Sequence, residues 1–293
     1  MIKLLFLIVT VQFSFSQTDL LKEKMTIKIK QIVEQADAVV GVAINDLRSG
    51  QQILINEDEI FPQASSIKIH ILSEVYKQAA EEKFNLADIK QLPIFARVGG
   101  SGILSSLGEK SVSLSIRDYC VMMIVLSDNS ATNLLINLVG MKNVNESLQK
   151  NGATKTKLQR VMMDIQAAKE GRENISTPKD VMTILEKMFY GTLVNKQASD
   201  DMLSILKLDK DGALKSGIAP SVGIANKGGD VDGVRTDVGI IYLENNPYII
   251  CVMTKMLQRN EDGPKIITDI SREAYNYFER KANSNQYGRK ISK

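Results

Sequence analysis

A serine and a lysine three residues apart give the first indication of the chemistry that this chain can perform. They form the tetrapeptide Ser65-Ser66-Ile67-Lys68. A serine hydroxyl is a weak nucleophile at its free pKa and needs a base within hydrogen-bonding reach. On a helix, a residue three positions later lies one turn along on the same face, so the amine of Lys68 can reach the hydroxyl of Ser65. The pair therefore predicts a nucleophilic serine that is activated by a lysine.

Two further short motifs follow in the chain, Ser127-Asp128-Asn129 and Lys227-Gly228-Gly229. Ser127 can relay a proton toward a leaving nitrogen. Lys227 supplies a positive charge that can anchor a substrate carboxylate. A second cation also lowers the pKa of Lys68, which makes a neutral, proton-accepting amine more accessible. Together the three motifs predict an acyl-transfer site.

Each motif alone has an ordinary structural explanation. A serine followed three residues later by a lysine is expected about once by chance in a chain of this size, usually on a solvated helix face. Ser-Asp-Asn is compatible with a turn or a helix N-cap, and Lys-Gly-Gly with a loop. The order of the motifs, their spacing and their flanking sequence favour the catalytic interpretation.

Composition and charge argue against several other classes of function. Of the 293 residues, 44% are hydrophobic and 24% are charged, as in an ordinary globular protein of one large domain or two. The net charge of +3 is small, and no basic stripe indicates a nucleic-acid partner. No residues have the spacing of a zinc or haem site, so we expect neither a metal nor a cofactor. The single histidine, His70, would point away from Ser65 on a helix, which argues against a Ser-His-Asp triad.

The chain begins with the pattern of a secretory signal peptide, predicted over residues 1–16. Lys3 precedes an apolar stretch from Leu4 to Val11, and small residues follow, with cleavage expected near Ser16-Gln17. We therefore expect a secreted or periplasmic monomer that has no membrane association after cleavage. The polar tail at residues 283–293 is expected to be disordered.

Hydrophobic patterning predicts a two-lobed α/β (α+β) fold in a catalytic domain at residues 17–282. Apolar runs near both chain ends predict an antiparallel sheet flanked by terminal helices, in a lobe formed by residues 17–62 and 213–282. Helical periodicity in between predicts an inserted all-α lobe at residues 63–212. The helix at Ser65, the loop at Ser127 and the strand at Lys227 would meet at the junction between the lobes, where clefts tend to form.

The two cysteines, Cys120 and Cys251, lie in apolar surroundings. A disulfide is permitted in an exporting compartment, and two buried free thiols are equally compatible with the sequence.

At these motifs the chain resembles the class A β-lactamases over nearly the whole mature sequence. The stretch from Ser115 to Leu135 carries the resemblance most strongly, and Gly99 to Leu104 and Asp237 to Met253 also fit. The resemblance implies five roles: acylated nucleophile (Ser65), activating amine (Lys68), proton relay (Ser127), ligand of the substrate's side-chain amide (Asn129) and cation near the substrate carboxylate (Lys227). It also implies an oxyanion hole formed by the backbone N–H groups of Ser65 and Asp230, beside Gly228 and Gly229.

Three positions depart from the family pattern. The family's Ω loop carries a glutamate, two residues after an arginine, that activates the deacylating water; here Met162 stands at that position, two residues after Arg160. Asp164 is the nearest carboxylate, and it either replaces that glutamate or simply makes a loop salt bridge, with Arg160 as the candidate partner; we favour the salt bridge.

The second departure is Lys227-Gly228-Gly229, which lacks the hydroxyl of the usual Lys-Thr-Gly motif. Arg235 or Thr236, on the facing strand, could compensate for it. The third concerns Cys120, which matches a cysteine that many family members pair with one on the nucleophile's helix. Leu72 occupies that partner position, so the usual disulfide should be absent.

The leading hypothesis is a hydrolase that opens β-lactam amides through an acyl-Ser65 intermediate, with a deacylation step that is slow if no other group replaces the glutamate. An alternative is a penicillin-binding peptidase of the D-Ala-D-Ala type, or an esterase, that acts on a peptidoglycan-like peptide or a small ester and is acylated by β-lactams. A protein of another class would bind and sense β-lactams without turnover.

Overall fold

The computed structural model describes residues 19–285 and 287–291, so the predicted signal peptide lies outside the described residues. The α-helices in these ranges are α1 (Leu20–Gln35), α2 (Lys68–Ala80), α3 (Ile116–Val125), α4 (Asn129–Val139), α5 (Met141–Lys150), α6 (Ile165–Lys169), α7 (Pro178–Phe189), α8 (Lys196–Leu206) and α9 (Asp262–Ala282). Within the described ranges, no helix is both long and apolar enough to cross a membrane.

A five-stranded antiparallel sheet organises the molecule, with the strand order β2-β1-β9-β8-β7. The strands, including four short ones outside this sheet, are β1 (Val39–Asp46), β2 (Gln52–Ile55), β3 (Phe61–Pro62), β4 (Ile89–Gln91), β5 (Ser113–Ser115), β6 (Ile175–Ser176), β7 (Gly223–Val231), β8 (Val234–Tyr242) and β9 (Tyr248–Lys255). Strand β7, which carries the Lys227 motif, lies at one edge and, among the strands that the structure describes, pairs only with β8. Its other edge is therefore free to face the helical lobe.

Strands β1 and β9 are buried along nearly their whole length because both faces of the sheet are covered. One face packs on the terminal helices through Ile29 of α1 and Ile270 and Phe278 of α9. The other face shares a single hydrophobic core with the inserted helices. The two-lobed fold and the flanking terminal helices are as predicted.

Several helices begin where local signals in the sequence favour a helix start. The side chain of Asp19 caps α1 by accepting from the backbone N–H of Lys22 at 2.9 Å, and Ser115 caps α3 in the same way. Pro178 opens α7 directly after the N-cap Thr177, since a proline in the first helical turn has no intrahelical bond to lose.

Other details differ from the prediction. The inserted lobe is not purely helical, because β4 pairs with β5 and β3 pairs with β6 at its margins. Of the tail at residues 283–293, for which disorder is predicted, the structure describes 283–285 and 287–291, where an antiparallel bridge joins Ser284 and Lys290. The two thiols, Cys120 and Cys251, are free and buried, which is one of the two alternatives that the sequence left open.

Candidate active site

Ser65 lies in a short 3₁₀ helix, Ala64–Ile67, that leads directly into α2. The helix predicted at Ser65 is thus a 3₁₀ helix at the serine itself, and the α-helix begins at Lys68. Ala64 has a φ of 47°, in the left-handed region that a residue with a Cβ seldom adopts. The chain therefore makes a strained turn immediately before the candidate nucleophile.

The amine of Lys68 lies between the two serines that the sequence singles out. Its Nζ is 3.0 Å from Ser65 Oγ and 3.0 Å from Ser127 Oγ. It also donates to the carbonyl oxygen of Ser127 at 2.6 Å and to Asn129 Oδ1 at 3.0 Å. One amine thus contacts three of the predicted site residues, so the structure brings Ser65, Lys68, Ser127 and Asn129 together.

Lys68 has no exposed surface. Burial and the nearby charge of Lys227 hold its pKa well below the ordinary lysine value, while Asp128 and Asp230 act in the opposite direction. The lowering effects are the larger. The arrangement therefore makes a neutral amine accessible next to the Ser65 hydroxyl.

The Ser127 motif is a turn between α3 and α4, fixed mainly by Asp128. One carboxylate oxygen of Asp128 accepts from the backbone N–H of Ala131 and so caps α4. The other accepts from the backbone N–H groups of Ile103 and Leu104 at 2.7 and 2.8 Å. Ser127 is held at a φ of 52°, which is strained for a serine. This turn directs both the hydroxyl and the carbonyl of Ser127 at Lys68.

Asn129 is oriented through both ends of its side-chain amide. Its Oδ1 accepts from Lys68, and its Nδ2 donates to the carbonyl oxygen of Gly99 at 3.1 Å. The loop from Gly99 to Leu104, which fits the family pattern, therefore lies beside Asn129.

Strand β7 supplies the opposite wall of the site. Lys227 is buried and donates to the carbonyl oxygen of Gly228 at 2.8 Å. Burial lowers the pKa of Lys227 to about 8, and the nearby Lys210 also lowers it, while Asp237 and Asp230 act to raise it. Lys227 remains largely a cation at neutral pH.

The backbone of β7 lies against the nucleophile's turn at Gly229. A Cβ built on Gly229 would lie 2.6 Å from Ser65 N and 2.7 Å from the carbonyl oxygen of Gln63. Only glycine permits this approach without a backbone shift. The absence of a side chain here is therefore a requirement of the site.

Arg235 and Thr236, the two candidates for replacing the missing hydroxyl, point to different partners. The guanidinium of Arg235 donates to the carbonyl oxygens of Val231 and Val234, both at 2.7 Å. The hydroxyl of Thr236 is buried and donates to the carbonyl oxygen of Gln63 at 3.2 Å. Both residues line a cavity of about 850 Å³ that also exposes Ser127, Lys227, Gly228, Gly229 and Asp230.

The segment that carries Met162 and Asp164 reaches the loop beside Asn129, because a Cβ built on Gly100 would lie 2.7 Å from Asn129 Nδ2 and 2.9 Å from Met163 Sδ. Met162 is buried, and its backbone N–H and carbonyl both bond the side chain of Asn133, at 2.8 and 3.1 Å. Asp164 caps α6 by accepting from the backbone N–H of Ala167 at 3.0 Å. The suggested salt bridge with Arg160 was wrong, because Arg160 pairs with Glu173 at 2.8 Å.

A family model described as the beta-lactamase enzyme family matches residues 24–278, nearly the whole described chain. The chain belongs to the beta-lactamase enzyme family.

Individual relatives agree with this assignment. The beta-lactamase VEB-1 of Pseudomonas aeruginosa is 26% identical over 298 residues, covering 94% of this chain and 96% of that protein. The beta-lactamase CARB-3 of Pseudomonas aeruginosa is 24% identical over 81% of this chain and 86% of that protein. The predicted resemblance to class A β-lactamases is thus confirmed.

Solved structures of the family share the fold. The protein PBP-A matches with a TM-score of 0.81 and 26% identity, over 87% of this chain and 96% of that one. A PBP-A variant with one leucine replaced by glutamate, solved as an acyl-enzyme complex with penicillin G, also matches with a TM-score of 0.81. A β-lactamase from Sphaerobacter thermophilus matches with a TM-score of 0.78 and 28% identity, over 86% of this chain and 97% of that one.

Two charged residues near Lys227, Asp237 and Lys210, were not identified as site residues from the sequence. Asp237 is fully buried and accepts from Leu214 N and Asn226 Nδ2, at 3.0 and 2.9 Å. Burial raises the pKa of Asp237. Lys210 lines the same cavity as Lys227, and burial lowers its pKa to about 8. No spacing in the sequence links Lys210 to the Lys227 motif, because a loop brings the two together.

Proposed function

We propose that this protein is a serine hydrolase of the class A type, which opens the amide of a β-lactam through an acyl-Ser65 intermediate and releases the product slowly. The contact of Lys68 Nζ with both serine hydroxyls, at 3.0 Å each, carries the proposal. This distance suits proton transfer in either direction.

In the proposed acylation, Ser65 Oγ attacks the lactam carbonyl and its proton passes to neutral Lys68. The developing oxyanion is held by the backbone N–H groups of Ser65 and Asp230, at the point where β7 meets the nucleophile's turn. Ser127 then delivers a proton to the lactam nitrogen as the C–N bond breaks, and Lys68 returns a proton to Ser127.

The remaining residues bind the substrate in this proposal. Asn129 donates to the carbonyl of the substrate's side-chain amide. In this proposal Lys227 holds the substrate carboxylate. The hydroxyl of Thr236, which donates to the carbonyl oxygen of Gln63 in the free protein, takes the part of the missing hydroxyl of the motif by turning from that oxygen to the carboxylate. The guanidinium of Arg235 donates to the carbonyl oxygens of Val231 and Val234, so we assign Arg235 a structural role at the end of the strand and no direct contact with the substrate.

Deacylation needs a base that activates water, and Met162 cannot accept a proton. Asp164 is engaged as the cap of α6. Loss of a general base typically costs about 10²- to 10⁴-fold in rate. We therefore expect acyl-Ser65 to accumulate while turnover continues slowly.

Intact mass of the mature protein, followed against time after mixing with penicillin G, tests this proposal. An adduct that forms and then disappears as hydrolysed drug accumulates supports a slow β-lactamase. No adduct at Ser65, or an adduct that persists unchanged in Ser65→Ala, contradicts the acyl-Ser65 mechanism.

The absence of a base at Met162 also favours a second candidate, a penicillin-binding peptidase-like or esterase-like hydrolase that treats β-lactams as slowly released inhibitors. An adduct with penicillin G that forms and stays, together with hydrolysis of a D-Ala-D-Ala peptide or a small ester, would support this candidate. A permanent adduct without hydrolysis of any substrate would instead support a β-lactam-binding sensor.

In each case we propose a secreted or periplasmic location, in accord with the signal pattern in the sequence.

A further inference from the structure

Two polar side chains are buried directly behind the nucleophile's turn. Gln63 and His70 have no exposed surface, and Gln63 Nε2 lies 3.1 Å from His70 Nε2. Burial lowers the pKa of His70 to about 3, so the ring is neutral and its nitrogen can accept from the amide. His70 belongs to the same helix as Lys68, and Gln63 stands two residues before Ser65.

The backbone of Gln63 is also held from several directions. Its carbonyl oxygen accepts from Ser66 N at 3.0 Å, Ser66 Oγ at 2.8 Å and Thr236 Oγ1 at 3.2 Å. Its N–H donates to the carbonyl oxygen of Asn174 at 2.8 Å. Gln63 therefore connects the nucleophile's turn to the strand that carries Thr236 and, through its side chain, to the body of α2.

Stability alone does not account for this polar pair. Gln63 Oε1 and His70 Nδ1 are buried and have no hydrogen-bond partner among the described residues. A buried polar pair that is only partly satisfied is generally less stabilising than apolar side chains of similar size. The pair therefore costs stability at a position that adjoins the reacting group.

The neighbouring strain indicates what the pair does. Ala64, between Gln63 and Ser65, is held at a φ of 47°, and such a conformation persists only where the flanking structure enforces it. If the turn relaxed, the hydroxyl of Ser65 would move relative to Lys68 and to the edge of β7, which approaches closely at Gly229.

We propose that the bond between Gln63 and His70 positions the nucleophile by holding the Ala64–Ser65 turn in register with Lys68 and β7. Neither side chain is catalytic, because both act through Ser65. The inference rests on the proposed acylation of Ser65 for its chemistry and adds two positioning residues to it.

The test compares Gln63→Met, His70→Leu and the double variant, which remove the bond and keep similar volumes. Adduct mass is followed by rapid quench at several concentrations of penicillin G. The dependence of the rate on drug concentration then gives the acylation rate constant and the noncovalent dissociation constant separately. We expect each single variant to acylate about 10- to 100-fold more slowly, since small misplacements of a reacting group have effects of this size. The dissociation constant should stay within about twofold of the parent value. The double variant should acylate no more slowly than the slower single variant, because each single substitution already removes the same hydrogen bond.

A matched control lies on the same helix. Gln78 is also buried and donates to Glu74 Oε1 at 2.8 Å, far along α2 from Ser65. Gln78→Met should lower the melting temperature and leave the acylation rate constant unchanged. His70→Gln, which keeps a neutral polar group in reach of Gln63, should recover at least part of the rate and also serves if His70→Leu does not fold.

Acylation by folded Gln63→Met and His70→Leu within about twofold of the parent rate, or a loss equal to that of Gln78→Met, would overturn the inference. A fluorophosphonate probe that reacts with serine is used in parallel. If the parent protein reacts with the probe and not with penicillin G, the proposed function fails, and the probe rates of the variants decide the positioning role. No reaction with either reagent overturns both, because Ser65 would then not be an activated nucleophile.

Discussion

At the scale of single residues, the site separates two lysines by their charge. Burial lowers the pKa of both, but Lys68 also lies close to the cation of Lys227 and is driven well below its ordinary value, whereas the pKa of Lys227 remains at about 8. Near neutral pH, the proposed base can therefore be neutral while the proposed substrate-binding cation stays charged.

The pH dependence of acylation follows from these two shifts. The neutral fraction of Lys68 grows as pH rises through its lowered pKa, so the rate rises; Lys227 loses its proton as pH rises through about 8, so the rate then falls. In Lys227→Arg the guanidinium stays charged, so the falling limb should move to higher pH. Initial acylation rates, measured at intervals of about one pH unit from about pH 5 to about pH 10, locate the falling limb in both proteins.

Lys210 provides the control, because its pKa also lies at about 8. If Lys227→Arg keeps the falling limb near pH 8 and Lys210→Arg removes it, then Lys210 and not Lys227 is the titrating cation, and the assignment of Lys227 is wrong.

Met162 is the residue to change if deacylation lacks a base. Its backbone is fixed on both sides by Asn133, so a glutamate there would start from a defined position. Met162→Glu should shorten the life of the penicillin G adduct by about 10²- to 10⁴-fold, the usual effect of a general base. Decay of the adduct mass after removal of free drug measures this.

Met162→Gln is the matched control, with nearly the same shape and no base, and it should leave the adduct lifetime close to that of the parent. Equal lifetimes in Met162→Glu and Met162→Gln would contradict the view that a missing base limits release.

At the scale of elements, the sequence predicted what local chemistry determines and missed what distant contacts determine. The caps at Asp19 and Ser115 and the start of α7 follow from nearby residues and were predictable. The 3₁₀ turn at Ser65 was not, because a strand more than 150 residues later fixes it.

The same distinction holds within the site. The motifs identified Ser65, Lys68, Ser127 and Lys227 because their spacing is characteristic. The salt bridge of Arg160 with Glu173 and the approach of Lys210 to Lys227 depend on loop paths that no spacing encodes.

A substitution at Asp164 tests whether its carboxylate acts only as the N-cap of α6 or also as the base in deacylation. As an N-cap it can be replaced by asparagine, which caps a helix about equally well. Asp164→Asn should therefore change neither the adduct lifetime nor the melting temperature appreciably, whereas Asp164→Ala should lose about 1 kcal/mol of stability. A markedly longer adduct lifetime in Asp164→Asn would show that Asp164 is the deacylating base.

The contact between β7 and the nucleophile's turn can be tested with a pair of adjacent glycines. The three atoms nearest to a Cβ on Gly229 are backbone atoms of Gln63, Ser65 and Ser66 at 2.6 to 2.8 Å, and these cannot move aside by side-chain rotation. A Cβ on Gly228 would have its nearest contact at 3.6 Å, an ordinary van der Waals distance. Gly229→Ala should slow acylation about 100-fold, since it displaces the reacting groups, while Gly228→Ala stays within a few-fold of the parent. Equal rates for the two variants, measured by adduct formation, would contradict the close packing.

At the scale of the whole molecule, one hydrophobic core joins the two lobes and places the site between them. It contains Val238 and Cys251 from the sheet together with Cys120 and Ile124 from the inserted helices. The second core, between the sheet and the terminal helices, lies on the opposite face. Because the first core crosses the junction, we expect the lobes to unfold as one cooperative unit.

The two thiols report on this directly, since Cys120 lies in α3 and Cys251 in β9, one on each side of the junction. Both are fully buried, and burial raises the pKa of each thiol, so neither should react with an alkylating reagent in the native protein. Labelling followed by peptide mass spectrometry should give the same rate for both cysteines, and both rates should rise together with urea concentration, because each thiol is exposed only by global unfolding. Reducing agent should leave the melting temperature unchanged, since there is no disulfide to break. Faster labelling of Cys120 at low urea would show instead that the helical lobe opens separately, and the site at the junction would then be lost before the sheet unfolds.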